Sequence, residues 1–278
     1  MLFSLTFILP FIYVISISFS SEKSIAQFGY QLIPKVIDTT AYRTIFANPG
    51  QIVDSYYVTI MNTAIGTLLG VFIMALAAYS ISRTNFRWRS QITFYIYFTM
   101  LFGGGLIPTY ILCTQYLRLG NTFAIYLVNG LLNAWYIIII RTFFQGLPPA
   151  LIESAKIDGA SELTVFFRII LPLSKPVIAT IGLFTVLNRW NDWYTTLIYI
   201  QDPKLYSLQF MLQRILREAE YVKAMAAMGT NVTSSMQDAP TESMRFAMAI
   251  IAAGPMLLVF PFFQKYFTKG LTVGAVKG

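Results

Sequence analysis

Six long apolar stretches constrain the fold of this 278-residue chain more than any other feature. A helix needs about 20 mostly apolar residues to cross the hydrocarbon core of a bilayer. The stretches cover about residues 2–19, 58–82, 92–112, 121–140, 174–200 and 244–263. The segments between them lack the alternation over about ten residues that is typical of a transmembrane β-strand. We therefore predict an all-α integral membrane protein with six transmembrane helices.

The composition agrees with this prediction. Apolar residues make up 56% of the chain and charged residues only 12%, and the mean hydropathy is +0.62. Such a chain has too little polar surface for a soluble protein. The sequence has no internal repeat or low-complexity tract, so we expect one membrane domain over residues 1–278.

Basic residues in alternate loops indicate the orientation, because cytoplasmic loops retain Lys and Arg. The loops after spans two and four and the tail after span six carry a net charge of +7, and the opposite side carries +1. This asymmetry predicts that both termini are cytoplasmic. Topology and anionic membrane lipid then explain the basic balance, and no nucleic-acid partner is expected.

The first span leaves a signal peptide open as an alternative. Small residues from Ser16 to Ser21 would suit cleavage, but no basic residue precedes the apolar run. An even number of spans with the observed loop charges requires that the helix be retained. We expect a true span, with further cytoplasmic residues ahead of Met1.

The residue inventory excludes several chemistries. The chain has no histidine, and Cys113 is its only cysteine, so an intrachain disulfide, a Ser-His-Asp triad and a Cys-His pair are impossible. No G-x-x-x-x-G-K-[ST] sequence occurs, so the chain has no P-loop of its own for ATP. We expect no metal site, no cofactor and no enzymatic activity in this chain.

A polar, glycine-broken segment lies between spans four and five, within residues 148–176. Pro148 and Pro149 suit the first turn of a helix that can continue to Ile157. Asp158-Gly159 then turns the chain. The sequence predicts a short helix that ends at a glycine elbow.

A second short helix is expected after this elbow. Ser161 can cap it through its hydroxyl group, and an apolar face at helical spacing continues to Phe167. Pro172 and Pro176 are expected to end it. The two short helices would then lie across the membrane surface.

This segment resembles the EAA loop of ABC importer membrane subunits, which has the form E-A-A-x-x-D-G-A, a spacer, and I-x-L-P-L-x-x-P. The second motif position is serine rather than alanine, a change between small residues. The residues in those places are Glu153, Ser154, Ala155, Asp158, Gly159 and Ala160, then Ile169, Leu171, Pro172, Leu173 and Pro176. The resemblance implies that the first six couple the chain to an ATPase, with Glu153 pairing with a basic residue of the ATPase cleft.

Motifs elsewhere extend the resemblance over about residues 58–278. Asn62-Thr63, Ala78 to Arg83, Trp190-Asn191-Asp192 and the tail Gly270 to Gly278 look like the maltose-type carbohydrate permeases. The run Phe102 to Pro108 is similar to the branch named for lipoproteins and complex oligosaccharides, which includes alginate importers.

The resemblance implies a type I ABC importer permease fold with cytoplasmic coupling helices, in the bacterial inner membrane. The implied function is translocation of oligosaccharides, with an acidic sugar such as alginate as one candidate. The implied partners are a homologous permease, two ATPase subunits that bind ATP and Mg²⁺, and an external solute-binding protein. The tail through Lys277 is expected to reach the ATPases.

The external segment 201–243 contains a helix predicted over Leu208 to Ala227. The resemblance implies that such a segment faces the binding protein. An ordinary interfacial helix is an equal alternative.

Polar and aromatic residues near the outer half of span five are candidates for the substrate pathway. Aromatic faces stack on sugar rings, and amides bond to hydroxyl groups; an acidic sugar would favour Arg189. An aromatic belt at the membrane interface is the alternative. The candidates are Asn188, Arg189, Trp190, Asn191 and Trp193, within a polar and aromatic run that also holds Asp192 and Tyr194, with a weaker cluster at Asn133, Trp135 and Tyr136 in span four.

Three features within the spans predict packing or breaks. Gly66-x-x-x-Gly70 allows a close approach of a neighbouring helix, and Asn62 is expected to make a structural polar contact between helices. The triplet Gly103-Gly104-Gly105 with Pro108 is expected to interrupt span three, where freed backbone groups need cover from protein or water.

Two rival functions use the same fold class. A secondary transporter would carry ionisable residues deep in its spans, and the middles of these spans lack them. An integral membrane enzyme would need a nucleophile or an acid-base set, which the absence of histidine disfavours.

Overall fold

The computed structural model describes residues 7–228 and 241–274. Over these ranges the regular structure is helical, apart from an isolated bridge between Ser20 and Ile37. The expectations for residues 2–6, for the polar run 229–240 and for Lys277 lie outside the described residues.

The described α-helices range in length from three to 34 residues. In chain order they are α1 Leu9–Ser18, α2 Glu22–Phe28, α3 Thr40–Ile45, α4 Pro49–Ser82, α5 Arg89–Leu101, α6 Leu106–Ile111, α7 Ala124–Val128, α8 Ala134–Gln145, α9 Pro149–Ile157, α10 Glu162–Val165, α11 Leu171–Leu173, α12 Lys175–Trp190, α13 Tyr194–Tyr199, α14 Leu208–Ala227 and α15 Thr241–Gly274. A π-helical turn follows α6 at Leu112–Tyr116, another follows α10 at Phe166–Ile170, and a 3-10 turn lies at Pro203–Leu205.

The apolar stretches correspond to helices, but fewer of them are continuous than the sequence predicts. Within the described ranges, α4 alone is long and apolar enough to cross a membrane as a single helix, and up to four crossings result if each strongly bent helix pair counts as one. Two of the predicted spans contain an interruption of the helix, after Val128 within 121–140 and after Trp190 within 174–200.

Glycine accounts for two of the breaks. Gly105 has φ +83° and Gly130 has φ +72°, values that a residue without a Cβ adopts readily. The break predicted at the glycine triplet is confirmed, and it bends α5 and α6 by 113°. Pro108 does not contribute to this break, because it lies in the first turn of α6, where its missing N–H is tolerated.

The described chain packs as two compact units. The first takes residues from Met1–Val58 and Asp202–Val259, and the second takes residues from Thr59–Gln201 and Phe260–Gly278. The second unit has an apolar core in which α4, α8, α12 and the π-helical turn 166–170 meet. Its most buried members include Met74, Ile81, Ile140, Phe166 and Ile181.

Within the first unit, the carboxylate of Glu22 lies at the start of α15 and links α2 to α14 and α15. This carboxylate accepts hydrogen bonds from Lys223 Nζ (3.1 Å), Thr241 Oγ1 (3.0 Å) and the backbone N–H groups of Glu242 (3.2 Å) and Ser243 (3.4 Å). It therefore satisfies amides that the first turn of a helix leaves unpaired. Lys223 belongs to α14, the helix predicted from the sequence and confirmed with the same bounds.

Partial burial raises the pKa of Glu22, but the hydrogen bonds from Glu242, Lys223 and Thr241 lower it by more, so the net pKa lies below its ordinary value of 4.5. A depressed carboxyl pKa means that the folded state favours the ionised form. The stabilisation is therefore complete above pH 4.5 and is lost as the pH falls through the lower pKa of the folded protein.

We predict that Glu22→Gln loosens the start of α15. Amides 241–245 should exchange about five-fold faster at pH 7, which corresponds to the loss of about 1 kcal/mol that a helix cap contributes. The difference from the unmutated protein should vanish well below pH 4.5. Hydrogen exchange of the detergent-solubilised protein measures both effects. The control Glu218→Gln removes an exposed ion pair with Arg214, and it should change the free energy of local opening by less than about 0.5 kcal/mol. Equal exchange rates in the two variants would contradict the role of Glu22 as the cap of α15.

Candidate functional site

A polar cavity of about 250 Å³ lies within the second unit, next to the break after α7 and the break after α12. Nine of its twelve lining residues carry amide, hydroxyl or charged groups, which can donate or accept hydrogen bonds. The lining residues are Met74, Asn129, Gly130, Leu132, Asn133, Tyr136, Thr185, Asn188, Arg189, Asp192, Tyr194 and Thr195. This arrangement suits a ligand that is rich in hydroxyl groups.

The break between α7 and α8 brings two asparagines to this cavity. Asn129 Nδ2 donates to Thr195 Oγ1 at 2.6 Å. Asn133 caps α8, where its Oδ1 accepts from the N–H of Tyr136 at 3.2 Å. Both amides keep further hydrogen-bonding capacity, since each side chain has two donors and an acceptor oxygen.

The last turn of α12 supplies a third amide. Asn188 Nδ2 donates to the hydroxyl of Tyr136 at 3.0 Å, and the Tyr136 ring stacks on Phe184 with centroids 6.3 Å apart. Stacking fixes the ring, and the hydrogen bond fixes the amide against it. The tyrosine and asparagine side chains therefore form one ordered wall of the cavity.

Arg189 lies beside these amides but is only 6% exposed. Its NH1 donates to Asn62 Oδ1 (2.8 Å) and to the carbonyl of Tyr126 (2.9 Å), and its NH2 donates to the carbonyl of Gly130 (3.2 Å) and more weakly to that of Leu127 (3.5 Å). The expected structural contact of Asn62 is thereby confirmed. NH1 and NH2 of the guanidinium are thus bonded to the protein's own oxygens, while the buried Nε has no hydrogen-bond partner among the residues that the structure describes.

The structure brings together four of the eight candidates for the substrate pathway: Asn188, Arg189, Asn133 and Tyr136 line the cavity. The other four, Trp190, Asn191, Trp193 and Trp135, are not among its lining residues. Trp190 is buried at 5% exposure, Asn191 Nδ2 donates to the carbonyl of Leu187, and Trp193 packs edge-on against Tyr194. Trp135 is 57% exposed.

Several lining residues were missed by sequence reasoning. Asn129 and Gly130 form an Asn-Gly pair, a strong turn signal, which predicts a break inside span four and was the available clue. Thr195 follows the break after α12, and no pattern in the sequence marks it; Asp192 and Tyr194, which also line the cavity, belong to the polar and aromatic run 188–194 of span five. The aromatic surface of the cavity comes from Tyr136, which was among the candidates, and from Tyr194, whereas Trp190 and Trp193 do not line it.

The glycine elbow of residues 148–176 forms as predicted. α9 ends in a Schellman motif, in which Ala160 N–H bonds to the carbonyl of Ala155 (2.9 Å) and Gly159 N–H bonds to that of Lys156 (3.0 Å). Gly159 has φ +81°, so it serves the turn conformation. Ala155 and Ala160 pack against the core of their own unit, which gives a reason for their small size besides contact with a partner.

The second short helix differs from its prediction at its end. Ser161 caps α10 by accepting from the N–H of Thr164 at 3.2 Å, as expected. Helical backbone then continues through Phe166–Ile170 and α11, which contains Pro172 near its start. The prediction that Pro172 ends the helix is therefore wrong, because proline is tolerated in a first turn. The chain turns instead at Ser174, bending by 79° into α12.

Glu162 ties this elbow to the end of α4. Its carboxylate pairs with Lys156 Nζ at 2.5 Å and accepts from the hydroxyl of Tyr79 at 2.5 Å. Burial raises the pKa of Glu162, while Lys156 and Tyr79 lower it by more, so the net pKa lies below its ordinary value. The Tyr79 ring packs against Phe166 at 5.3 Å. The elbow is thus anchored to the core by a charged and an aromatic contact.

The outer side of the elbow is exposed and partly apolar. Ile157 is 86% exposed and Leu163 is 64% exposed, and Glu153 is exposed on α9. Glu153 also lines a groove of about 330 Å³, together with Arg83 and Arg89 among others. An exposed apolar patch with charged neighbours is typical of a protein-protein contact.

The chain belongs to the family described as binding-protein-dependent transport system inner membrane component, whose model matches residues 66–273. The matched region includes the cavity and the elbow.

Relatives and a solved structure agree with this family. The chain is 38% identical over 279 residues to the polygalacturonan/rhamnogalacturonan transport system permease protein YtcP of Bacillus subtilis (strain 168), with 100% of this chain and 95% of that protein covered. It is 41% identical over 273 residues to protein LplC of the same organism, with 98% and 90% covered. It is also similar to a chain in the crystal structure of a bacterial ABC transporter involved in the import of the acidic polysaccharide alginate, with 28% identity, a TM-score of 0.77 and coverage of 96% and 92%.

Proposed function

We propose that this chain is the translocation-pathway subunit of an ATP-driven importer for oligosaccharides. The observation that carries this proposal is the polar cavity at two helix breaks, lined by three asparagines, two tyrosines and two threonines. Sugar hydroxyl groups need donors and acceptors in equal measure, and amide and hydroxyl side chains provide both. Family membership favours this role over a secondary transporter or a membrane enzyme.

The names of similar proteins support an oligosaccharide as the substrate. One relative is named for polygalacturonan and rhamnogalacturonan, and the structural neighbour is described for alginate, an acidic polysaccharide. An acidic oligosaccharide is therefore the first candidate. NH1 and NH2 of Arg189 donate to protein oxygens, so we assign this chain's part in recognition to amides and hydroxyl groups.

We propose six membrane passages with both termini in the cytoplasm. Loop charge supports this orientation. The bent and broken helices support passages that are interrupted where protein or a cavity covers the backbone. The elbow would then lie on the cytoplasmic side, between passages four and five.

Energy would enter through the elbow. We propose that two ATPase subunits, a homologous permease and an external solute-binding protein complete the importer, with ATP and Mg²⁺ bound by the ATPases. The exposed face at Glu153, Ile157 and Leu163 would dock an ATPase. Closure of the ATPases would move the elbow, and the bundle would switch between inward-facing and outward-facing states as rigid bodies.

α12 offers a direct path from elbow to cavity. It starts at Lys175, among the last residues of the segment 148–176 that forms the elbow. Its last turn carries Asn188 and Arg189. A helix of 16 residues transmits a displacement at one end to the other. Movement of the elbow would therefore reach the cavity wall.

Glu153→Lys should abolish uptake while the chain still assembles in the membrane. Because Glu153 is exposed, reversing its charge leaves the packing of this chain intact and acts on the partner's surface. The matched control is Asp54→Lys, an exposed carboxylate near the start of α4 and outside the elbow, the cavity and segment 201–243, which should keep near-normal uptake. Sugar-stimulated ATP hydrolysis in proteoliposomes is the measurement, and an unchanged rate with Glu153→Lys would contradict the coupling role.

Asn188→Ala should lower uptake of the transported oligosaccharide about five- to a hundred-fold, because an unpaired polar group costs about 1–3 kcal/mol. Asn191→Ala, three residues along and outside the cavity lining, should change uptake less than about two-fold. Trp190→Ala removes a buried ring and should reduce the yield of folded protein rather than uptake per assembled complex. Uptake normalised to assembled complex distinguishes these outcomes, and equal losses for Asn188→Ala and Asn191→Ala would remove the cavity from the pathway.

A further inference from the structure

Arg189 occupies an unusual position for a charged residue in an apolar chain. Its side chain is on α12 and the residue is only 6% exposed, and Thr185, Val186 and Trp190 on the same helix are also buried. A buried charge in a membrane protein is costly unless it is well paired, and it is then commonly functional. The oxygens that receive its hydrogen bonds show what it stabilises.

Three of those oxygens belong to the backbone at the end of α7. The carbonyls of Tyr126 and Leu127 lie in the last turn of that helix, and the carbonyl of Gly130 lies in the break itself. In an unbroken helix, carbonyls 126 and 127 would accept from the amides of residues 130 and 131. Instead, the N–H of Leu131 bonds to the carbonyl of Val128. The guanidinium replaces the helical partners that the break removes.

α4 provides the space and the fourth acceptor. Asn62 Oδ1 accepts from NH1 at 2.8 Å. A Cβ on Gly66, one turn further along the same face of α4, would lie 2.2 Å from NH1 and 2.4 Å from Cζ of Arg189. Non-bonded atoms do not approach each other this closely. Glycine at position 66 is therefore required for the guanidinium to reach the break. A Cβ on Gly70 would lie 2.9 Å from the carbonyl of Leu131, so the same helix face also borders the break.

We propose that Arg189 is a positioning residue that holds residues 129–133 in their non-helical conformation. Asn62 accepts a hydrogen bond from its guanidinium, and Gly66 leaves the space that the guanidinium fills. The segment so held carries Asn129 and Asn133, two of the amides that line the cavity. The consequence for uptake rests on the proposed function. Arg189 acts on the sugar through these amides, so its loss affects acidic and neutral oligosaccharides alike.

The test compares Arg189→Met, Gly66→Ala and the double variant in the assembled complex. Thiol labelling at Asn133→Cys, in a Cys113→Ser background, reports the conformation of the break. Both single variants should change the labelling rate at position 133 by at least five-fold. Both should also lower uptake of trigalacturonate and of a neutral arabino-oligosaccharide to a similar degree, where each sugar is used only if the unmutated complex carries it. The double variant should be no worse than Arg189→Met alone, because the alanine then has no guanidinium to displace.

Two controls separate positioning from general damage. Gly254→Ala, a helical glycine with nothing within 4 Å of an added Cβ, should leave labelling and uptake unchanged. Asn62→Asp keeps an acceptor oxygen for NH1 and should retain uptake within about two-fold, whereas Asn62→Ala should not.

The outcomes separate this inference from the proposed function. Unchanged labelling at position 133 in both Arg189→Met and Gly66→Ala overturns the positioning role. So does a loss confined to trigalacturonate, because that pattern identifies Arg189 as a receptor for the sugar carboxylate. If the unmutated complex takes up neither sugar, the proposed substrate class is wrong, while the labelling comparison still decides the role of Arg189.

Discussion

The backbone of an interrupted helix must find new hydrogen-bond partners wherever it is shielded from water, and the architecture around the cavity depends on this requirement. A bilayer interior offers no water to bare carbonyls. Here the guanidinium of Arg189 serves the carbonyls at the end of α7, and Asn133 caps the start of α8. With both ends of the break satisfied, the chain can turn its side chains toward a cavity. The polar character of the site follows from how its backbone is stabilised.

The same unit links that cavity to the elbow. Glu162 joins Lys156 of α9 to Tyr79 at the end of α4, and α12 runs from the end of the elbow segment to Arg189. Both helices that hold the guanidinium, α4 through Asn62 and α12 through Arg189 itself, are thus connected to the elbow at their other ends. A shift of the elbow relative to the core would change the geometry of the break. This connection gives the proposed coupling a physical route.

Sequence patterns predicted the local features whose chemistry is short-range. The proline start of α9, the glycine elbow and the Ser161 cap depend on a few adjacent residues, and the structure has all three. The glycine triplet before α6 is of the same kind. Features set by distant residues were predicted less well. The role of Arg189 depends on Gly66 and on carbonyls about 60 residues away in the chain. The local sequence of α12 does not show these contacts, and from it alone Arg189 was predicted to face the sugar.

Cryo-electron microscopy of the assembled complex with its oligosaccharide trapped inside tests the central claim most directly. The account predicts sugar density within hydrogen-bonding distance of the Asn188 and Asn133 side chains, with residues 129–133 non-helical and Arg189 still bound to Asn62 and the carbonyl of Tyr126. An unbroken helix through residues 124–145, or an Arg189 guanidinium turned to contact the sugar directly, would contradict it.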